Sequence, residues 1–156
     1  PGLIGGIAVL ENNKVLNIFD MPVMSEGKKN KRQLNIAQLV NLIKENIKFK
    51  EEVAVIVEQV NAMPGQGVTS MFNFGQTFGA IKGVCAALEL PIFFVRPSKW
   101  KKHFELINSS KDASRKKVIE MSPTLSSQLA KKKDVNKSDA ILIAKFYSET
   151  RLIDNN

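Results

Sequence analysis

Residues 53–60 read VAVIVEQV, and this stretch decides how the rest of the chain is interpreted. The five residues before Glu58 are apolar and mostly β-branched, which is typical of a buried β-strand. An apolar strand gives no packing reason for a carboxylate at its end, so Glu58 is a candidate functional residue. The structural alternative is a strand-end glutamate that faces solvent.

Two further acids, Asp134 and Asp139, lie in a basic region where the last helical pattern begins. If the fold brings them to Glu58, three carboxylates offer the hard oxygen ligands that Mg²⁺ prefers. Two such ions about 3.5 to 4 Å apart activate water and stabilise the leaving oxygen in phosphodiester hydrolysis. The sequence therefore suggests a metal-dependent nuclease. The alternative for either aspartate is a structural role near a helix N-terminus, where the dipole favours acids.

Composition and charge narrow the class of partner. The 156 residues carry a formal net charge of +8 and are 44% hydrophobic, so we expect a single domain with a substantial core and a polyanionic partner. Nucleic acid is favoured over a merely soluble basic surface or an anionic membrane. No segment approaches the roughly 18 to 20 apolar residues that span a bilayer, and no signal-like segment is evident, so we expect a cytoplasmic protein. The single Cys85 excludes an internal disulfide and a cysteine-based zinc site.

Periodicity predicts the order of the elements. Four segments have the character of strands: residues 4–10, 15–19, 53–60 and 92–95. Helical patterns cover residues 36–47, 70–89, a segment capped by Ser98, short stretches within 109–130, and 136–149. The polar segment 25–33 is predicted to be a mobile loop. This order is typical of an α/β sandwich with a mixed sheet.

Five short motifs follow one another along the chain: PGLIGGIAV at the start, VEQ at a strand end, FNFGQ leading a helix, VRPSKWK, and SDA entering the final helix. Together they resemble the RuvC family of Holliday junction resolvases, of the RNase H-like superfamily, over nearly the whole chain. The resemblance implies one RNase H-like nuclease domain over residues 1–156, with a mixed β-sheet sandwiched by helices.

The sequence departs from this family pattern in two places. Family members begin with a strand ending in Asp-Pro-Gly, whose aspartate is the first metal ligand, whereas the present sequence starts at Pro1. We expect that central strand and its aspartate upstream of Pro1, because its loss would leave two neighbouring strands with unpaired backbone groups. Bacterial members often place an acid or histidine three residues before the final aspartate, and here that position is Asn136. Whether Asp134 or Asn136 fills this ligand position stays open.

The resemblance also implies roles for individual residues. Glu58, Asp139 and Asp134 would be catalytic ligands of Mg²⁺, for which Mn²⁺ would substitute, and Lys101 would steady charge on the phosphate. Candidate DNA contacts are Phe72 as an aromatic wedge, Lys99, Lys101, Lys102, Arg115 and Lys116. A solvated surface is the alternative for the lysines, and core packing is the alternative for Phe72.

These residues predict a structure-selective endonuclease that resolves four-way DNA junctions. Two cuts related by a two-fold axis need two identical sites, so we expect a homodimer. The small residues of the helix at 70–88 serve equally well as a dimer surface or against the sheet. One alternative is a non-catalytic RNase H-like nucleic-acid-binding module. Another is a related nuclease that acts on other branched DNA or on RNA.

Overall fold

The computed structural model describes residues 5–27 and 31–151, which form a mixed α/β fold. The strands are β1 (Gly6–Glu11), β2 (Lys14–Asp20), β3 (Val23–Glu26), β4 (Lys31–Leu34), β5 (Val55–Glu58) and β6 (Ile92–Val95). The helices are α1 (Ile36–Asn46), α2 (Val68–Ala87), α3 (Pro97–His103), α4 (Ala113–Met121) and α5 (Val135–Thr150). Three short 3₁₀ turns, Lys50–Glu52, Pro123–Leu125 and Lys132–Asp134, join some of these elements.

The predicted first hairpin is confirmed. β1 and β2 pair antiparallel across a turn at Asn12 and Asn13, whose φ angles of 50° and 63° suit a tight hairpin turn. The ammonium of Lys145 in α5 is buried and donates a hydrogen bond of 2.9 Å to the Asn13 carbonyl. The turn is therefore attached to α5 as well as to its own strands. Ile4, included in the predicted first strand, lies outside the described residues.

The prediction of a mobile loop over residues 25–33 is wrong for its described part. β3 and β4 form an antiparallel pair there, with Glu26 opposite Lys31 and Ser25 opposite Arg32. Opposite charges placed across two strands stabilise the pair. The sequence of this segment suggested a loop because the residues of its strands are mostly exposed and polar. Leu34, at the end of β4, is buried.

β5 and β6 are parallel, with Val55 opposite Ile92 and Glu58 opposite Val95. α2 lies between them in sequence and provides the crossover that a parallel pair requires. Its buried face carries Thr77, Ile81, Val84 and Cys85. The last three belong to a core cluster that includes Val57 of β5.

The final helix crosses the described strands and organises a second core. α5 packs against β1, β2, β5, α3 and α4. Its buried residues Ile141, Leu142 and Phe146 share a cluster with Val95, Trp100, Val118 and Leu129. α5 starts one residue before the predicted position and ends one residue after it.

α3 begins earlier than predicted. Arg96 is its N-cap and Pro97 occupies the first helical position, where the fixed φ of proline suits a helix start. The prediction that Ser98 caps this helix is therefore wrong, since Ser98 already lies in the first turn.

The strands do not form one continuous sheet within the described ranges. They form three two-stranded pairs, β1–β2, β3–β4 and β5–β6. The predicted single mixed sheet sandwiched by helices therefore stays a prediction. Among the helices of residues 5–27 and 31–151, none has the length and apolar character needed to cross a bilayer.

Candidate metal centre and nucleic-acid surface

Glu58 stands at the carboxyl end of β5, where its side chain is half-buried. Its Oε2 accepts a hydrogen bond of 2.7 Å from Nε1 of Trp100, a side chain only 1% exposed. The parallel pairing explains this contact, because Glu58 lies beside Val95 and α3 starts two residues after Val95. Glu58 is thus held in one orientation by the neighbouring helix.

Asp139 lies one turn inside α5 and points toward α4. Burial raises the pKa of its carboxyl above the ordinary value, while a hydrogen bond from the Ser114 side chain lowers it. The negative charge of Glu58 raises this pKa further, and the positive charge of Lys101 lowers it. Glu58 of β5 and Lys101 of α3 are therefore both within electrostatic reach of Asp139 on α5.

The negative charge of Glu58 disfavours ionisation of Asp139, and a cation placed near Asp139 would favour it. Carboxylate oxygens are the hard ligands that Mg²⁺ takes, usually together with several waters. Glu58 and Asp139 therefore fit a divalent cation by the chemistry of their oxygens. Across residues 5–27 and 31–151, no group of three or more acidic, histidine or cysteine side chains is arranged to hold a metal ion.

Asp134 has a different environment from Asp139. It is 4% exposed, its Oδ2 accepts 2.8 Å from the Lys131 backbone N–H, and its Oδ1 lies 3.0 Å from Nζ of Lys137. Burial alone would raise the pKa of Asp134, but these two partners hold it below its ordinary value. Both carboxylate oxygens thus stabilise the start of α5, and the metal-ligand role of Asp134 stays a prediction. Asn136 donates to the Lys133 carbonyl at 3.3 Å.

Lys101 of α3 is half-buried. Its Nζ lies 5.5 Å from the centre of the Trp100 ring, a cation–π arrangement. The same ammonium lowers the pKa of Asp139. The charge of this predicted basic residue therefore reaches Asp139.

The remaining predicted DNA contacts differ in their surroundings. Lys99 and Lys102 on α3 and Lys116 on α4 are exposed. Arg115 instead makes contacts within the chain: Nε and Nη2 bind the two oxygens of Asp112 at 2.7 and 2.9 Å, and Nη1 donates to the Leu129 carbonyl at 3.0 Å. Arg115 thus joins α4 to the segment around Leu129, and a DNA contact would use its remaining N–H groups.

Phe72 lies in the first turns of α2 and is 65% exposed. Three other exposed apolar side chains precede it in the same part of the chain: Met63, Val68 and Met71. Phe74 and Phe78 behave differently, because their rings stack at 6.4 Å and Phe78 also contacts Phe94. Phe78 therefore packs against a core cluster, Phe74 contacts the ring of Phe78, and Phe72 belongs to neither described core cluster.

Sequence reasoning missed two residues that shape this site. The sequence analysis includes Trp100 only within the VRPSKWK motif, without a role, and does not single out Ser114. A single tryptophan next to Lys101 was the available signal for the first. A small polar residue inside the basic run at 111–117 was the signal for the second.

Comparison with models of known protein families finds no match to this chain, and none of the curated proteins matches it. The resemblance to the RuvC family therefore stays a prediction from the sequence motifs.

Proposed function

We propose that this chain is an RNase H-like, Mg²⁺-dependent endodeoxyribonuclease that resolves four-way DNA junctions. The observation that carries the proposal is that the charges of Glu58 in β5 and Lys101 in α3 both act on Asp139 in α5. Two acids and a lysine within electrostatic reach suit metal-assisted cleavage of a phosphodiester.

The arrangement of strands supports the RNase H-like fold. Among the described residues, β1 pairs only with β2, and β5 pairs only with β6. Each therefore has an edge where another strand can pair. α5 packs against both β1 and β5. We propose that these two pairs belong to one mixed sheet whose central strand lies between β1 and β5.

Glu58 and Asp139 would hold the metal, with Asp134 as a further predicted ligand. When bound, Mg²⁺ supplies an activated water and stabilises the leaving oxygen. Side chains of this chain would orient the ligands and stabilise the charge on the phosphate. Trp100 orients Glu58, Ser114 holds Asp139, and the Lys101 ammonium stabilises negative charge that develops on the phosphate.

The basic side chains support DNA as the substrate. Lysines that contact phosphates provide affinity without reading sequence, and the net charge of +8 favours such contacts. The exposed Lys99, Lys102 and Lys116 lie on the two helices that also supply Lys101 and Ser114. The exposed Phe72 offers an apolar wedge of the kind that opens stacked bases.

A homodimer follows from the need for two symmetric cuts, and α2 offers a surface for it. Gly75, Gly79 and Gly83 repeat every four residues on one face, and a Cβ added at any of them would meet open space. The helix buries its other face, around Ile81 and Val84. We propose that the glycine face of α2 packs against the same face of a second copy.

A non-catalytic nucleic-acid-binding module is the second candidate. It is favoured by the meeting of two carboxylates, rather than three, within the described ranges. Nicking assays separate the candidates, using the chain together with any residues that its gene encodes before Pro1. We expect Mg²⁺- or Mn²⁺-dependent nicking of a synthetic four-way junction in preference to flap, linear duplex and RNA–DNA hybrid. Binding without nicking at every metal concentration would establish the module instead, and preference for the hybrid would indicate a ribonuclease.

A further inference from the structure

The indole of Trp100 contacts both a predicted metal ligand and the predicted catalytic lysine. Its Nε1–H donates to Oε2 of Glu58 at 2.7 Å, and its ring face lies 5.5 Å from Nζ of Lys101. The hydrogen bond is shorter than the usual N–H···O distance of about 2.9 to 3.0 Å, as expected for a charged acceptor. One side chain therefore touches two groups of opposite charge at the candidate metal centre.

The indole itself has little freedom to move. Trp100 is 1% exposed and lies in a core cluster with Val95, Phe104, Ile141 and Phe146. A buried indole N–H needs a partner, and Glu58 is the partner it has. Because the ring is fixed by packing, the carboxylate bound to it is fixed as well.

The geometry points to Trp100 as the positioning residue of the metal centre, an inference that rests on the proposed function. The N–H group holds one oxygen of Glu58, and the other oxygen would be left to bind the cation. The ring face holds the Lys101 ammonium beside the same acids. Outer partners that orient metal ligands in this way commonly contribute a large part of metal affinity.

Mn²⁺ binding, followed by the electron paramagnetic resonance signal of the free ion, tests this role without DNA or cleavage. Trp100→Phe keeps an aromatic face for Lys101 and removes the N–H donor, together with part of the buried ring volume. We expect it to weaken Mn²⁺ binding by about tenfold or more, the usual effect of losing an outer partner. Phe104→Leu is the matched control, because Phe104 is buried in the same cluster and four residues further along the chain. The control should bind Mn²⁺ within about twofold of the wild type, since it leaves the outer partner in place.

A second measurement uses the native indole and needs no metal. Trp100 is the single tryptophan, so ¹⁵N labelling gives one indole N–H resonance. In Glu58→Ala this resonance should move upfield and its hydrogen exchange should become faster, because the charged acceptor is gone. Glu89→Ala, which removes an exposed glutamate paired with Lys50, should leave both unchanged.

The outcomes distinguish this inference from the proposed function. Equal Mn²⁺ affinity in Trp100→Phe and the wild type, or equal weakening in Phe104→Leu, would overturn the positioning role and leave the metal site standing. An indole resonance that is unchanged in Glu58→Ala would also overturn the positioning role of Trp100. No Mn²⁺ binding by the wild type, with a resonance that does respond, would overturn the proposed function and keep Trp100 as the anchor of Glu58.

Discussion

At the scale of single residues, Asp139 differs from a carboxylate that serves stability. Burial and the charge of Glu58 raise its pKa, so ionising it costs the folded state more than the unfolded state. The stability linked to this group is complete below its unfolded pKa and is lost as the pH rises through the folded value. Ionised Asp139 destabilises the fold, and the proposed metal binding gives a functional reason for an aspartate at this position.

This cost makes a prediction about Asp139→Asn. In the presence of a chelator near neutral pH, the substitution should raise Tm, because the charged form that burial disfavours is gone. The gain should disappear below the ordinary aspartate pKa of 3.8, where the wild-type carboxyl is protonated in both states. Thermal melts across this range check the prediction. A fall in Tm at neutral pH would mean that Asp139 serves the fold.

The pKa of Asp112 is shifted downward, opposite to that of Asp139, so Asp112 serves as the structural comparison. Its hydrogen bond with Arg115 is the main cause that lowers its pKa, so its contribution to stability is present above the unfolded pKa. That contribution is lost as the pH falls through the folded pKa. Asp112→Asn should therefore lower Tm at neutral pH, and the difference from wild type should close in acid. A raised Tm at neutral pH would contradict the role of this ion pair.

At the scale of elements, the contact between β1 and the start of α5 sets the place of Asp139. A Cβ at Gly6 would come within 2.6 Å of the Asn136 carbonyl oxygen and of the Lys137 Cα, both of which belong to the backbone of α5. The glycine thus allows a close approach that another residue would prevent. Asp139 lies two residues after Lys137 on the same helix.

Gly6→Ala should therefore push the first turn of α5 away from β1. We expect a loss of about 1 to 3 kcal/mol in the free energy of unfolding, the usual cost of overpacking, together with weaker Mn²⁺ binding. Asn41→Ala is the control, because Asn41 is an exposed residue of α1, outside the contact between β1 and α5. It should gain up to about 1 kcal/mol, since alanine is the better helix former. Chemical denaturation measures both changes, and a neutral Gly6→Ala would show that α5 tolerates displacement.

At the scale of the whole molecule, the distribution of basic side chains predicts how DNA binding responds to salt. Lys101→Ala should reduce the slope of log affinity against log salt by about one unit if its ammonium neutralises one phosphate. Lys50→Ala should leave the slope unchanged, because that ammonium is paired with Glu89 at 3.5 Å. Junction-binding titrations over a range of salt concentrations give both slopes. An unchanged slope for Lys101→Ala would remove this lysine from the phosphate contacts.

The dimer proposal also belongs to this scale. Gly79→Arg places a long charged side chain on the open face of α2 and should convert a dimer into a monomer with unaltered helix content. Gly79→Ala should remain dimeric. Light scattering during size-exclusion chromatography measures the mass of each variant. A monomeric wild type, or a dimeric arginine variant, would direct the search for the interface elsewhere.

The sequence predicted those parts of the fold whose apolar residues are periodic. β5, β6, α1 and α5 were found because apolar residues recur along them as a strand-like run or at helical spacing. β3 and β4 were missed because cross-strand polar pairs such as Glu26 with Lys31 hold them together, and such pairs have no apolar signal. The bond between Glu58 and Trp100 joins residues 42 positions apart, so it depends on strand pairing that local pattern does not contain.

The central claim is that Glu58 and Asp139 share a catalytic cation, and Glu58→Gln tests it most directly. The wild type and this variant should be compared for Mg²⁺-dependent nicking of a synthetic four-way junction, with junction affinity measured in parallel. We expect nicking to be abolished while binding stays equal or becomes tighter, because the variant removes a carboxylate charge and no phosphate contact. Nicking by Glu58→Gln at a rate near that of the wild type would contradict the account.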